Sequence, residues 1–211
     1  MMYYASNPSA GYRFGDILRG FPFVVPSVNK PPVTLESGFG IAVATPSFCA
    51  VLTPCCSIEN SMVGICPLQH IQRYWLQNPH FVDDFTLINR LIPPEKYYPP
   101  EKWDSLPTSE KQDAEPSYYF LEAFVYPPSE HLPSYNLTYG REKKIYTLRH
   151  YMVDFRNVQK VSCSVFSRGN SETPAKVLEL SVAARSELRE KVVHYFSRVP
   201  DEDRILEEEL A

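Results

Sequence analysis

The sequence predicts a mainly β protein of short strands and long loops, with few helices. Twenty prolines stand against eight glycines, and proline both interrupts strand ladders and shortens helices. Fourteen tyrosines, twelve phenylalanines and two tryptophans suit half-buried strands and broad contact surfaces. With 211 residues, 44% of them hydrophobic and 22% charged, the chain can bury one good core, with or without a sizeable insertion.

The elements follow in order. "FGDILRGFPFVV" (Phe14 to Val25) predicts a strand entered through Gly-Asp, bent or at an edge because of Pro22 and Pro26. "GIAVA" and "CAVLT" predict two short buried strands split by a turn at Thr45 to Ser47. "SMVGICPL" (Ser61 to Leu68) predicts another, joined by a tight connection over Ile58 to Ser61. These make a small, strongly bent antiparallel sheet.

Past Gln69 the pattern changes. Phe81, Phe85, Ile88 and Ile92 recur at helical spacing and predict a short helix ending before Pro93 and Pro94. The following proline-rich polar stretch, with Tyr97, Tyr98 and Trp103, predicts a surface wrap. Residues 69–116 thus read as an insertion, too broken by proline to build a core of its own. The sheet resumes with Ser117 to Tyr126, Ile145 to Phe155, Val158 to Phe166 and Ala175 to Leu180. A helix then starts at Ser181 as N-cap, with Val182, Leu188, Val192 and Tyr195/Phe196 on its apolar stripe, and ends before Pro200. The expected organisation is one domain over 1–200 with that insertion, and an acidic tail over 201–211.

The charge is uneven. The net charge is −4, but "DEDRILEEEL" carries six acids and one arginine, leaving the body nearly neutral. A neutral body is a poor match for phosphate-driven nucleic-acid binding, and "REKK" (Arg141 to Lys144) reads as a solvated loop. No apolar run reaches the length of a membrane span, and the first residues lack a signal pattern. Five cysteines without such a signal predict reduced thiols and a cytoplasmic location.

Chemistry-bearing residues cluster at "TPCCSIEN" (Thr53 to Asn60). Cys55, Cys66 and His70, with Cys49 or Cys56, have the ligand types for zinc, but not the two-residue spacing of a knuckle. Buried core thiols are the simpler reading, so no metal and no cofactor is expected. Cys56 with His150 and Asp154 has the residue types of a thiol-nucleophile arrangement. The bland counterpart is a satisfied histidine and a turn aspartate.

The order of segments resembles the PemK/MazF-like toxins and their larger bacterial relatives. "GDIL" opening a strand carries the resemblance, as do "FCAVLTPCCSIE" running out to a polar tip, "HYMVDFRNV", and "LELSVAARSELREKVVHYFSR". It spans a little over half of the chain. The resemblance implies an SH3-like β-barrel of PemK/MazF type with a C-terminal helix. In the toxins that barrel is a dimeric, metal-free endoribonuclease, in which an arginine stabilises the phosphorane and a hydroxyl assists proton transfer. This sequence departs at both places. Ser47, Phe48 and Cys49 stand where the arginine would, and Cys66, Pro67 and Leu68 where the hydroxyl would; Arg13 and Arg19 are the nearest cations. The expectation is a non-catalytic barrel that binds a protein partner in bacterial stress or phage defence. It would sequester a transcription or sigma factor, or an antitoxin-like peptide, through Thr53, Cys55, Cys56, Ser57, Glu59, Tyr97, Tyr98 and Trp103. A homodimer is compatible with the resemblance. The alternative is an endoribonuclease toxin of a type II toxin–antitoxin system.

Overall fold

The computed structural model describes residues 2–21, 23–28, 39–44, 46–54, 62–77, 79–91, 105–107, 109–110, 122–140, 143–162 and 175–197. Its centre is a curled, half-barrel sheet of antiparallel strands. The strands are β1 (Ile17–Arg19), β4 (Phe48–Val51), β5 (Met62–His70), β6 (Ala123–Tyr126), β9 (Tyr151–Asp154), β10 (Gln159–Ser162) and β11 (Ala175–Leu178). They run in the order β11-β1-β4-β5-β9-β6, with β10 also on β5. Two hairpins stand apart: β2 (Phe23–Val28) with β3 (Phe39–Ala44), and β7 (Tyr135–Tyr139) with β8 (Lys144–Leu148).

The sheet curls because β9 and β10 are one strand interrupted. Residues Leu68 to His70 pair with β9 and Met62 to Ile65 with β10, while Phe155–Asn157 makes a 3₁₀ turn between them. Pro67 sits opposite that interruption. Leu52 donates its N–H to the Gly64 carbonyl at 2.8 Å, so Gly64 faces β4 and, by alternation, Pro67 faces the β9–β10 side. A proline there withholds no ladder hydrogen bond, because the neighbouring strand has turned away.

Alternation also sorts the core. Ile17, Phe48, Ala50, Cys66, Leu68, Phe124, Tyr126, Tyr151 and Val153 face one side, where Leu180, Ala184 and Leu188 cover them. The last two come from helix α2 (Val182–Ser197). On the other side, Ala123, Val125 and Met152 meet Ile71, Trp75, Leu76, Phe81, Phe85 and Ile88. Leu18, Cys49, Val51, Val63 and Ile65 meet Phe21 and Phe23. Strands covered on both faces read as unbroken apolar runs, as "FCAV" and "AFVY" do.

Several elements differ from expectation. "GIAVA", expected as a buried strand, lies in β3 with Ala42, Val43 and Ala44 exposed, because β3 pairs with β2 in a hairpin outside the main sheet. The first strand stops at Arg19, where Gly20 takes φ +81, and a separate strand starts at Phe23. "IYTLRHYMVDF" is two strands, β8 and β9, because β8 belongs to a hairpin with the unexpected β7. The helix over 81–92 is two shorter pieces, α1 (Pro79–Asp83) and a 3₁₀ turn over Phe85–Asn89. Asp84 divides them by accepting the Thr86 N–H at 2.8 Å. The α2 stripe is Ala184, Leu188, Lys191, Val192 and Tyr195, whereas Val182 and Phe196 point to solvent. Tyr195 and Phe196 lie about 100° apart around a helix, and Tyr195 takes the core side by packing on Phe155, ring centroids 5.6 Å apart. Ser181 does cap α2, accepting the Ala184 N–H at 3.3 Å. Ile92, most of the proline-rich stretch including Tyr97, Tyr98 and Trp103, the tip Cys55 to Asn60, Cys163 and the tail over 201–211 lie outside the described residues. Among the described residues, no helix is long and apolar enough to cross a membrane.

Candidate functional site

Gly15 and Asp16 open β1 through a left-handed turn, Gly15 at φ +84. Asp16 turns its carboxylate into the protein, where one oxygen accepts the Arg13 N–H at 2.7 Å and pairs with Lys176 at 2.9 Å. Lys176, on β11, also reaches Glu179 at 2.6 Å. Glu179 in turn accepts from Ser9 N–H and Oγ and pairs with Arg185 of α2 at 3.0 Å. Arg13 completes the group at 3.5 Å from Glu179, its Nε donating to Ser9 Oγ. Burial pushes Asp16 up to about 6, against the pull of Lys176 and the Arg13 amide. Burial acts the same way on Glu179, but Lys176 and the Ser9 amide and hydroxyl outweigh it and hold that carboxyl at about 2. This network ties the first turn, β11 and α2 together. It is a structural clasp, and it occupies Arg13.

Most of the other expected residues are also held in place, although the buried His150 Nδ1 has no hydrogen-bond partner among the described residues. Arg19 lies over the Phe48 ring, 5.5 Å from its centroid. Thr53 accepts the Gly64 N–H at 2.6 Å, which fixes the start of the "TPCC" tip. Asp154 receives two bonds from Arg156, at 2.8 and 2.7 Å, and caps the turn after β9. His150 sets its ring edge-on to Phe85, centroids 5.3 Å apart, and burial lowers its pKa although Asp84 partly opposes this. Cys49 and Cys66 are free and buried, and burial pushes both thiols up to about 12, so neither is a thiolate at neutral pH. Among the described residues no three His, Cys, Asp or Glu gather as a metal ion would need. Cys55, Cys56, Ser57 and Glu59 lie outside the described residues.

The feature most suited to receiving a ligand is an open cleft of about 640 Å³ at the end of β5. Gln69, His70, Ile71, Gln72, Arg73, Tyr74, Leu137 and Tyr139 line it. Its centrepiece is the His70 ring, stacked on Tyr135 at 3.8 Å and 4°. Tyr135 is itself fixed, its hydroxyl accepting the Ile71 N–H at 3.0 Å and donating to the His150 carbonyl at 2.6 Å. Tyr151 is 5.6 Å from His70 and 5.4 Å from Tyr135. Those near-equal distances put it beside the stacked pair, so the second face of His70 is covered by neither ring. Burial lowers the His70 pKa. Sequence reading weighed His70 only as a zinc-ligand candidate that it set aside, and missed this stacked position, because its partner belongs to the unexpected hairpin.

A second cavity of about 590 Å³ lies between α2 and the 3₁₀ turn at 85–89, lined by Tyr3, Asp84, Asn89, Arg90, Glu187 and Glu190 among others. Below it Lys191 is 1% exposed, its ammonium donating to the Ile88 carbonyl, and burial lowers its pKa to about 7. The chain was compared with protein-family models, curated proteins and solved structures, and none of them matches it.

Proposed function

We propose that the chain is a non-catalytic binding module, a PemK/MazF-like SH3-type barrel that holds a protein partner instead of cleaving RNA. The sequestered partner would be a transcription or sigma factor, or an antitoxin-like peptide, in a bacterial stress or phage-defence system. The observation that carries the reading is the outer face of α2. Val182, Val193 and Phe196 are 76%, 57% and 65% exposed, and helical spacing of 100° per residue places all three within about 60° of one another. Their mean direction lies roughly 120° around the helix from the stripe of Leu188 and Tyr195, and the Phe196 ring still touches Tyr195, centroids 4.9 Å apart. Ser186 and Arg189 share that side of the helix, so the exposed apolar contact is a small patch of Val193 with Phe196 near the C-terminal end, apart from Val182 at the start. The commitment of Arg13 to Ser9 and Glu179, and of Arg19 to Phe48, supports the non-catalytic half of the reading. Neither guanidinium is held ready for a developing phosphorane charge.

The test has two arms. Long single-stranded RNA incubated with the purified protein should stay intact. Site-specific cleavage that Arg13→Ala or Arg19→Ala abolishes would overturn the reading in favour of a ribonuclease. In the second arm, affinity capture from the native host should retain one dominant protein that Val193→Glu with Phe196→Glu releases, at unchanged melting temperature. Capture indifferent to those changes would move the interface off α2.

A further inference from the structure

We propose that the cleft at the end of β5 binds a small planar anion, its ring stacked on the open face of His70 and its negative group held by Arg73. The α2 face plays no part in this, so the proposal stands apart from the partner-binding reading.

The geometry supplies each component of such a site. A stacking surface must be rigid, because ordering a mobile ring on binding costs about as much as one stack returns. His70 is immobilised in three ways. Tyr135 lies parallel to it at 3.8 Å, Tyr151 flanks the pair, and the Tyr135 hydroxyl clamps the backbone of the next residue, Ile71. Tyr135 and Tyr151 are themselves packed into the core, so the ring they hold outward rests on residues the fold already fixes. Ile71 and Leu137, both buried, form apolar ground beside it. The side-chain amides of Gln69 and Gln72 and the phenols of Tyr74 and Tyr139 line the same space. The two amides and the Tyr139 phenol bring both donors and acceptors to the edge of a planar ring.

The charge follows from the lining. Arg73 is exposed and lines the cleft with no carboxylate among the lining residues. On the opposite rim Tyr139 is paired in register with Lys144. A guanidinium with no carboxylate among the described lining residues of an aromatic cleft favours a carboxylate or phosphate, with which it forms a planar, forked pair. A volume of about 640 Å³ accommodates a bicyclic ring with one such group.

Two sources share this chemistry, aromatic carboxylates and nucleoside monophosphates, and isothermal titration of the full chain separates them. The probes are indole-3-carboxylate and adenosine 5′-monophosphate. Adenosine lacks the anion, while cyclohexanecarboxylate and inorganic phosphate lack the planar ring. At least one ring-bearing anion should saturate, and the His70 ring protons should move upfield in the NMR spectrum as the ligand ring covers them. His70→Ala and Arg73→Gln should each weaken binding about tenfold or more, and the three controls should bind far less. The Arg73 change, on an exposed residue, keeps the test intact if His70→Ala disturbs folding. Absence of saturation by both ring-bearing anions overturns the proposal, as does binding of cyclohexanecarboxylate as tight as theirs or affinity unchanged by either substitution.

Discussion

The side chain of Asn89 completes both backbone hydrogen bonds of Val125: its Nδ2 donates to the carbonyl at 2.7 Å and its Oδ1 accepts the N–H at 2.6 Å. Val125 lies on β6, the last strand of the sheet path, so one amide does there the work of a neighbouring strand. Asn89→Ala would leave a buried donor and a buried acceptor without partners. Each such group costs about 1–3 kcal/mol, and the unfolding midpoint in urea should fall by the equivalent of about 2–4 kcal/mol. A loss under about 0.5 kcal/mol would mean that water or the main chain replaces the amide.

Lys191 makes stability depend on pH. Its folded pKa is near 7 and its unfolded pKa near 10.5, so between those values the unfolded chain binds a proton that the folded chain does not. Stability from this group therefore rises with pH across the window and is lost as pH falls towards 7, by up to about 1.4 kcal/mol per pH unit. Glu122 is the charge that opposes the shift. Unfolding free energies measured from pH 7 to 9 should climb more steeply for the native chain than for Lys191→Met. Parallel curves would show that the ammonium keeps its proton in the fold.

Gly15 cannot be replaced cheaply. At φ +84, a Cβ there would stand 2.6 Å from Leu180 Cδ1 and 3.2 Å from Leu188 Cδ2. Gly15→Ala should cost about 2–4 kcal/mol from strained backbone and overpacking together. Gly11, whose added Cβ would meet nothing within 4 Å, provides the control, and Gly11→Ala should be near neutral by the same thermal melt.

Leu188 and Phe196 separate the two faces of α2. Leu188 is fully buried against the sheet, and Leu188→Ala should cost about 2–5 kcal/mol. Phe196→Ser should change stability by about 0.5 kcal/mol or less. Calorimetry on the pair checks this; equal losses would place Phe196 in the core after all.

The mainly β class, the buried strand in "CAVLT" and the Ser181 cap were legible because each is written locally, in composition, in one apolar run and in one residue before an apolar stripe, whereas the equally apolar "GIAVA" is exposed at Ala42 to Ala44. Strand β7 was not. "YNLTY" alternates, but only the register of Leu137 with Tyr146 and the burial of Leu137 in the second core make it a strand. The same tertiary choice hid the cleft, since the stacking of His70 joins residues from two separate sheets. Asp16 and Glu179 were read as parts of strand ends, and their shared lysine is visible only once β1 and β11 are adjacent. Phe196 was misassigned because spacing alone cannot say which of two neighbouring aromatics a partner such as Phe155 will select.

The pairing of Ile17 with Leu178, and the N–H groups of Ala5 and Ser181 bonded to the carbonyls of Glu179 and Tyr3, have a consequence for how the molecule is made. Strand β1 leaves the ribosome long before its partner β11, so its outer ladder stays open while the residues between them are made. Folds dominated by such distant pairings close in milliseconds to seconds instead of microseconds, because the entropy of the intervening loop must be overcome first. During that interval β1 and β4 expose apolar residues and unpaired backbone, which makes the nascent chain a substrate for chaperones and prone to aggregate. A chain cut before residue 175 would carry an unfinished sheet with an open edge at β1, and would be cleared by proteases in place of persisting as a smaller domain.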